Sequence, residues 1–315
     1  MKTHIAILVH KLCYIEICTS GFGDAGFASP ALLSHILLRF YTIPVLTMAV
    51  MSTDTTQSIR RPFTVRSFIL LILIGVAVGV FSGLFGVGGG TVMVPGLMLY
   101  GLSQREASAT SLAAMPLASL GGVVSYALDG HVNWIMGALI VIGTVCGSLI
   151  GSQLLQKLSE KFLRWAFVVF LVVIIVQQFL TVPTRVSHVN FSVLSAVGMI
   201  ALGLVSGMLS ALLGVGGGAI LVPGMSALFG ASDLVSRGTS LLAMMPGAVS
   251  ATISNMKARL VDVKAAGLIG VLAMLITPAG AALASYFTPQ VNVWVFNVFL
   301  ALVFVKSVMS ALKVK

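Results

Sequence analysis

Charged side chains are scarce in this sequence. Only 8% of its 315 residues are Asp, Glu, Lys or Arg, whereas about 25% is usual in a soluble domain. Hydrophobic residues make up 58% of the chain, and the mean hydropathy is +1.10. This composition excludes an ordinary soluble globular protein and predicts an all-α polytopic membrane protein.

Residue patterns for catalysis or metal binding are also missing. The five histidines are scattered, and the three cysteines, Cys13, Cys18 and Cys146, show no metal or redox spacing. We therefore expect no catalytic residue, no metal and no cofactor, and hence no enzyme. The net charge of +10 does not indicate a nucleic-acid partner, because the basic residues lie mostly between apolar runs, as topology signals do.

One stretch of the chain occurs twice. Residues 84–96 read Leu-Phe-Gly-Val-Gly-Gly-Gly-Thr-Val-Met-Val-Pro-Gly, and residues 212–224 read Leu-Leu-Gly-Val-Gly-Gly-Gly-Ala-Ile-Leu-Val-Pro-Gly. Inside a helix, a glycine costs about 1 kcal/mol and a proline about 3 kcal/mol. Each copy is therefore predicted to break a membrane helix. A matched pair of interrupted segments is typical of a transporter binding site.

The duplication defines two membrane repeats, residues 67–184 and 189–312. The segments Thr110-Ser111-Leu112 and Thr239-Ser240-Leu241 also correspond, as do Trp165 and Trp294. The charge-free runs are 67–104, 107–128, 132–156, 165–184, 189–232, 238–256 and 265–305. A single span needs about 20 residues, so the two runs with the glycine motif are too long for one span. Each repeat is predicted to contain a broken, re-entrant-like helix pair and three transmembrane helices.

Basic residues favour a topology in which each broken helix returns to its own side of the membrane. In that arrangement twelve basic residues face the cytoplasm and two, Arg185 and Arg237, face outward, as the positive-inside rule requires. The cytoplasmic residues are Arg60, Arg61, Arg66, Arg105, Lys157, Lys161, Arg164, Lys257, Arg259, Lys264, Lys313 and Lys315. Each repeat then makes an odd number of crossings, so the two repeats are predicted to be inverted.

Residues 1–50 have no counterpart in the second half of the chain. Charged and histidine residues interrupt what would be the apolar core of a signal peptide. We expect translation to begin at Met48 or Met51, which makes residues 1–50 an extension of doubtful origin. The alternative is an additional helix over residues 28–50.

The glycine motifs supply the candidate anion site. A helix that restarts after them presents free N–H groups and a positive dipole end, which together attract anions. We assign substrate contact to the backbone of both motifs, and we expect that alanine at Gly89 or Gly217 would block the anion without disturbing folding. The assigned residues are Gly88, Gly89, Gly90, Thr91, Gly216, Gly217 and Gly218. The alternative is that glycine only permits close helix crossing.

Hydroxyl groups and two arginines complete this set. Thr110, Ser111, Thr239 and Ser240 begin the span after each motif and can donate hydrogen bonds to an oxyanion or, alternatively, satisfy the helix locally. Arg105 and Arg237 lie near the motifs. They either attract anions at a mouth of the pathway or act only as topology signals.

The paired motifs resemble those of the TauE/SafE sulfite-exporter-type permeases. The resemblance rests on the doubled Gly-x-Gly-Gly-Gly with its downstream Pro-Gly, the Thr-Ser-Leu segments and Gly-His-Val-Asn-Trp at 130–134, and it covers about residues 67–312. The first 50 residues fall outside the family pattern. The resemblance implies a prokaryotic inner-membrane permease that exports sulfite, sulfoacetate or a related small anion. A passive anion channel and a non-transporting assembly subunit remain alternatives, and a homodimer is compatible with the sequence.

Overall fold

The computed structural model describes residues 65–180 and 191–312. Within these ranges the chain forms helices joined by short connections. The helices of the first repeat are α1 (Val65–Phe85), α2 (Gly90–Tyr100), α3 (Gln104–Leu128), α4 (Trp134–Lys157) and α5 (Glu160–Leu180). Those of the second repeat are α6 (Val193–Leu213), α7 (Gly218–Phe229), α8 (Asp233–Lys257), α9 (Val263–Tyr286) and α10 (Pro289–Leu312).

The predicted all-helical membrane class is confirmed. Six helical segments are long and apolar enough to cross a membrane: α1, α3, α4, α6, α9 and residues 290–309 of α10. The long charge-free run 265–305 contains two helices, because α9 ends at Tyr286 and α10 begins at Pro289. The helices α5 and α8 coincide with two further expected spans, although they are not among the six. The expectation for residues 1–50 lies outside the described residues.

Both glycine motifs interrupt a helix, as predicted. Helix α1 ends at Phe85 and α2 begins at Gly90, while α6 ends at Leu213 and α7 begins at Gly218. The short helix α2 then runs back along α1, because Gly89 lies against Val78 and Gly96 lies against Ile74. Its 11 residues span about 16 Å, which is roughly half of the ~30 Å hydrocarbon core of a bilayer.

Capping groups define where the long helices begin. Ser103 and Glu106 form a capping box at the start of α3. Asn133 caps α4 and Asp262 caps α9, each through a side-chain oxygen that accepts the N–H of the residue three positions later. These two caps occupy corresponding positions in the two repeats, so the local signals that start the helices are duplicated as well.

Glycine stripes pack the two repeats tightly against each other. On α1, Gly75, Gly79 and Gly83 face α9, and a methyl group placed on Gly83 would lie 2.2 Å from the carbonyl oxygen of Thr277. On α4, Gly143, Gly147 and Gly151 face α6, and a methyl group on Gly147 would lie 2.0 Å from the carbonyl oxygen of Leu204. Small residues spaced in this way allow close backbone approach in membrane helices. Each stripe is therefore covered by a helix of the other repeat.

The order of these contacts gives the direction of the paired helices. Gly75, Gly79 and Gly83 meet residues 272, 276 and 280 in turn, so α1 and α9 run in the same direction. Gly143, Gly147 and Gly151 meet α6 in ascending order between residues 200 and 211. Helices α4 and α6 therefore also run in the same direction.

Cysteine labelling tests the topology. After Cys13, Cys18 and Cys146 are replaced by serine, cysteines at the exposed positions Lys157 and Lys257 should both react with a membrane-impermeant maleimide from the cytoplasmic side only. Cysteines at the exposed positions Asp129 and Gln290 should react only from the opposite side. Labelling of positions 157 and 257 from opposite sides would contradict the hairpin topology.

Candidate functional site

The two glycine breaks have the same backbone conformation. Gly88 and Gly89 have φ values of 71° and 70°, and Gly216 and Gly217 have values of 96° and 74°. Left-handed φ values of this kind favour glycine. The last glycine of each pair, Gly89 or Gly217, is the N-cap of the half-helix that follows it.

The structure brings the two breaks into contact with each other. A methyl group placed on Gly90 would lie 2.3 Å from the carbonyl oxygen of Gly214, and one on Gly218 would lie 2.4 Å from that of Gly86. The methionines of the long helices cover the breaks, since a methyl group on Gly88 would meet Met244 and one on Gly216 would meet Met115. The N-termini of α2 and α7 therefore lie together at the centre of the helix bundle.

Backbone amides at both N-termini have no hydrogen-bond partner among the described residues. The carbonyl of Gly89 accepts the amides of Val92 and Met93, and the carbonyl of Gly217 accepts those of Ile220 and Leu221. The amides of Gly90, Thr91, Gly218 and Ala219 precede these bonds and have no such acceptor in the described part of the chain. Four donors and two positive dipole ends thus meet at one place.

Serine hydroxyls satisfy the carbonyls of the opposite break. Ser111 Oγ donates to the carbonyl of Gly214 at 2.7 Å, and Ser240 Oγ donates to that of Gly86 at 2.6 Å. Both serines are fully buried. Each serine also donates to a carbonyl of its own helix, Ser111 to Ser108 and Ser240 to Arg237. The two predicted serines therefore reach the glycine motif of the other repeat and satisfy their own helix as well.

The threonines accept hydrogen bonds from backbone amides. Thr110 Oγ1 accepts the amide of Asp262, and Thr239 Oγ1 accepts the amide of Asn133, each at 3.0 Å. Asp262 and Asn133 are the N-caps of α9 and α4. The two threonines thus join the start of one long helix to the start of a long helix in the opposite repeat.

The two arginines have different surroundings. Arg237 is 3% exposed and forms a two-bond ion pair with Asp233, with N···O distances of 2.9 and 2.8 Å. It also donates to the carbonyl of Leu84, at the end of α1. Arg105 donates to the carbonyl of Leu158, between α4 and α5. The structure therefore brings Arg237, but not Arg105, to one of the breaks.

The expectation that alanine at Gly89 or Gly217 would leave folding undisturbed is wrong. Both glycines have left-handed φ values, which cost an alanine about 1–2 kcal/mol. A methyl group on Gly89 would lie 2.5 Å from Val78 Cγ1, and one on Gly217 would lie 2.5 Å from Ser206 Oγ. The helices α1 and α6 therefore occupy the space that a side chain would need.

A small cavity opens beside the N-terminus of α7. Its volume is about 40 Å³, whereas a single water needs about 10–15 Å³ measured in the same way. Its walls come from the end of α1 and from α7, α8 and α10. The lining residues with polar groups are Gly218, Ala219, Ser226, Asp233, Arg237 and Asn292.

Sequence reasoning missed several residues of this region. No role was predicted for Asp233 or Asn292, although Asn292 is a polar side chain within an apolar run. Ser119 was missed as well. Its Oγ is fully buried with no partner among the described residues and would lie 3.9 Å from a methyl group placed on Gly88. A search for isolated polar residues inside the apolar runs would have found Asn292 and Ser119.

Together, the apolar helices and the paired breaks define a multi-pass membrane protein built around two broken helices. The family model described as "Sulfite exporter TauE/SafE" matches residues 17–178 and 199–314. The chain belongs to this family. The first match begins at residue 17, so the expectation that the first 50 residues fall outside the family pattern is wrong for residues 17–50.

Relatives of the chain are named as membrane transporters. It is 28% identical to the probable membrane transporter protein YunE of Bacillus subtilis, over 60% of this chain and 78% of that protein. It is 32% identical to a probable membrane transporter protein of Methanocaldococcus jannaschii, over 46% of this chain and 56% of that protein. A protein of Arabidopsis thaliana named sulfite exporter TauE/SafE family protein 1 is 27% identical over 40% of this chain and 27% of its own length. No solved structure matches the chain.

Removing the serine hydroxyls should destabilise the junction of the two breaks. Ser111→Ala and Ser240→Ala each leave a buried carbonyl without its donor, which costs about 1–3 kcal/mol. We expect a lower unfolding temperature for each variant in detergent. Ser307→Ala is the control, because the Ser307 hydroxyl bonds only to Val303 in its own helix. Equal unfolding temperatures for all three variants would contradict the structural role of Ser111 and Ser240.

Proposed function

We propose that this protein is a permease for small sulfur oxyanions or organosulfur anions, such as sulfite or sulfoacetate, in a prokaryotic cytoplasmic membrane. The anion is held near the membrane midplane by the N-termini of α2 and α7. The observation that carries the proposal is the contact between the two breaks, where the four amides of Gly90, Thr91, Gly218 and Ala219 lack partners in the described part of the chain.

The chemistry of the site favours an anion over a cation. Backbone amides at a helix start donate hydrogen bonds and carry the positive end of the helix dipole. Ser111 and Ser240 already satisfy the carbonyls of Gly214 and Gly86, so these acceptors are engaged. What remains at the junction is a surplus of donors, which matches the oxygens of a small oxyanion.

Several contacts support an inverted arrangement of the two repeats. Thr110, near the start of α3, bonds to Asp262 at the start of α9, so α3 and α9 begin at the same face of the helix bundle. Helix α1 runs in the same direction as α9 and therefore begins at this face as well. Asn133 at the start of α4 follows α3 after a short connection, so α4 and α6 begin at the face where α3 ends. Helices α1 and α6, which correspond between repeats, then run in opposite directions.

Inverted repeats suit alternating access. Each break is reached by a half-helix from its own face, so small movements of one repeat against the other can open the central site to either side. The positive-inside rule places the face that carries Lys157 and Lys257 in the cytoplasm. We propose outward transport because the matching family is described as sulfite exporters.

Flux measurements test this function. The purified full chain in proteoliposomes should carry radiolabelled sulfite at a rate that saturates with concentration. A voltage-driven flux that does not saturate would indicate a channel instead. No flux above that of empty liposomes would favour the non-transporting assembly subunit.

Proline substitution tests the half-helix site. Ala219→Pro and Thr91→Pro each remove one free amide at the second position of a half-helix, where proline breaks no hydrogen bond within the helix. Loss of one donor to a charged group is worth about 1.5–3 kcal/mol, so we expect the apparent KM for sulfite to rise about tenfold or more. The control is Leu194→Pro, at the second position of α6. If all three variants keep the KM of the unmodified protein, the half-helix site is wrong.

A further inference from the structure

The cavity beside α7 differs from the corresponding place in the first repeat. In the second repeat it is lined by Asp233, Arg237 and Asn292. When the two repeats are aligned on their Thr-Ser-Leu segments, Asp233, Arg237 and Asn292 correspond to Gln104, Ser108 and Leu163 of the first repeat. The ion pair and the buried asparagine therefore belong to the second half-helix alone, so any ligand that they recognise is bound on one side of the central junction.

Arg237 retains hydrogen-bonding capacity that the protein does not use. A guanidinium group has five N–H donors in a planar fork. Asp233 accepts two of them and the carbonyl of Leu84 accepts a third. Two donors thus remain without a partner among the described residues, on a side chain that lines the cavity and is nearly inaccessible to bulk solvent.

Asn292 contributes an acceptor with no partner. Its side chain is 1% exposed, and its Nδ2 donates to the carbonyl of Ala284 at 3.3 Å. This bond fixes the orientation of the amide, because a carbonyl cannot accept a hydrogen bond from Oδ1. Oδ1 is buried without a partner in the described part of the chain, which is costly unless a ligand or a water donates to it.

The charges at the cavity limit the charge of its ligand. Asp233 and Arg237 are the ionisable residues of the described lining, and the carboxylate neutralises the guanidinium. A dianion would meet the oxygens of Asp233 with no second cation to offset them, whereas a monoanion needs only the two spare guanidinium donors and the amides of Gly218 and Ala219. Phe85 and Phe296 supply apolar lining, with ring centroids 4.5 Å apart.

We propose that this cavity binds a singly charged oxyanion that carries one hydroxyl group, such as a hydrogen oxyanion of sulfur. The anionic oxygens accept from Arg237 and the α7 amides, and the hydroxyl donates to Asn292 Oδ1. This proposal deepens the proposed function and rests on it, because it names the ionisation state of the permeant anion at the second half-helix. A ligand with no hydroxyl leaves the Asn292 acceptor unpaired, and the site discriminates against it for that reason.

Two isosteric monoanions test the proposal at constant pH. Hydroxymethanesulfonate and ethanesulfonate differ by a hydroxyl in place of a methyl group. Two measurements use the purified full chain: inhibition of sulfite flux in proteoliposomes, and ligand-induced stabilisation against heat in detergent. We expect the unmodified protein to bind hydroxymethanesulfonate at least tenfold more tightly than ethanesulfonate in both.

Asn292→Leu should remove this preference. The ratio of the two affinities should fall to within about twofold of unity, with the affinity for ethanesulfonate unchanged. Asn297→Leu is the matched control, because Asn297 is also a buried asparagine of α10 whose amide has no partner within residues 65–180 and 191–312, but it is not among the lining residues of the cavity. This variant should keep the tenfold ratio.

The outcomes separate the two proposals. A ratio near unity in the unmodified protein, or a ratio that Asn292→Leu leaves intact, would overturn the cavity proposal even if sulfite is transported. A tenfold preference in the heat-stability measurement without any sulfite flux would support the cavity proposal and refute the permease.

Discussion

Backbone groups inside a membrane need partners, and this requirement organises the centre of the molecule. Where the two glycine segments leave the helical path, their carbonyls and amides lose the partners that a continuous helix supplies. The carbonyls of Gly86 and Gly214 regain partners from Ser240 and Ser111. In each case the serine belongs to the other repeat, so neither break is satisfied without the opposite half of the protein.

The remaining amides give the junction its chemical character. Serine hydroxyls and backbone carbonyls satisfy one another there, while the first two amides of each half-helix have no acceptor in the described part of the chain. The second repeat adds Arg237, whose charge is balanced by Asp233. The centre is thus rich in hydrogen-bond donors but carries little net charge, and these two features are what the proposed anion site uses.

Local patterns predicted much of this architecture. Uninterrupted apolar runs predicted the long helices, and the duplicated glycine and proline residues predicted where α1 and α6 are broken. The helix caps at Asn133 and Asp262 also follow from local chemistry. These features depend on neighbours in the sequence, which is why a single sequence reveals them.

The partners of the site residues could not be predicted in the same way. Ser111 bonds to Ser108 in its own helix, as one of the two alternatives predicted, but it also bonds to Gly214, 103 residues away. The clash of a side chain at Gly89 arises from Val78 on the neighbouring helix. Asn292 gains significance only because it lines the same cavity as the N-terminus of α7. Such contacts depend on how the helices pack, and no spacing in the sequence encodes them.

The packing of each glycine stripe against a helix of the other repeat has a consequence for biogenesis. The stripe on α1 is covered only when α9 arrives, and the stripe on α4 only when α6 arrives. During synthesis the first repeat therefore enters the membrane before the helices that cover the glycine stripes of α1 and α4 have been made. A fragment that contains only one repeat would lack the helix that covers its glycine stripe. The two repeats therefore depend on each other for their packing.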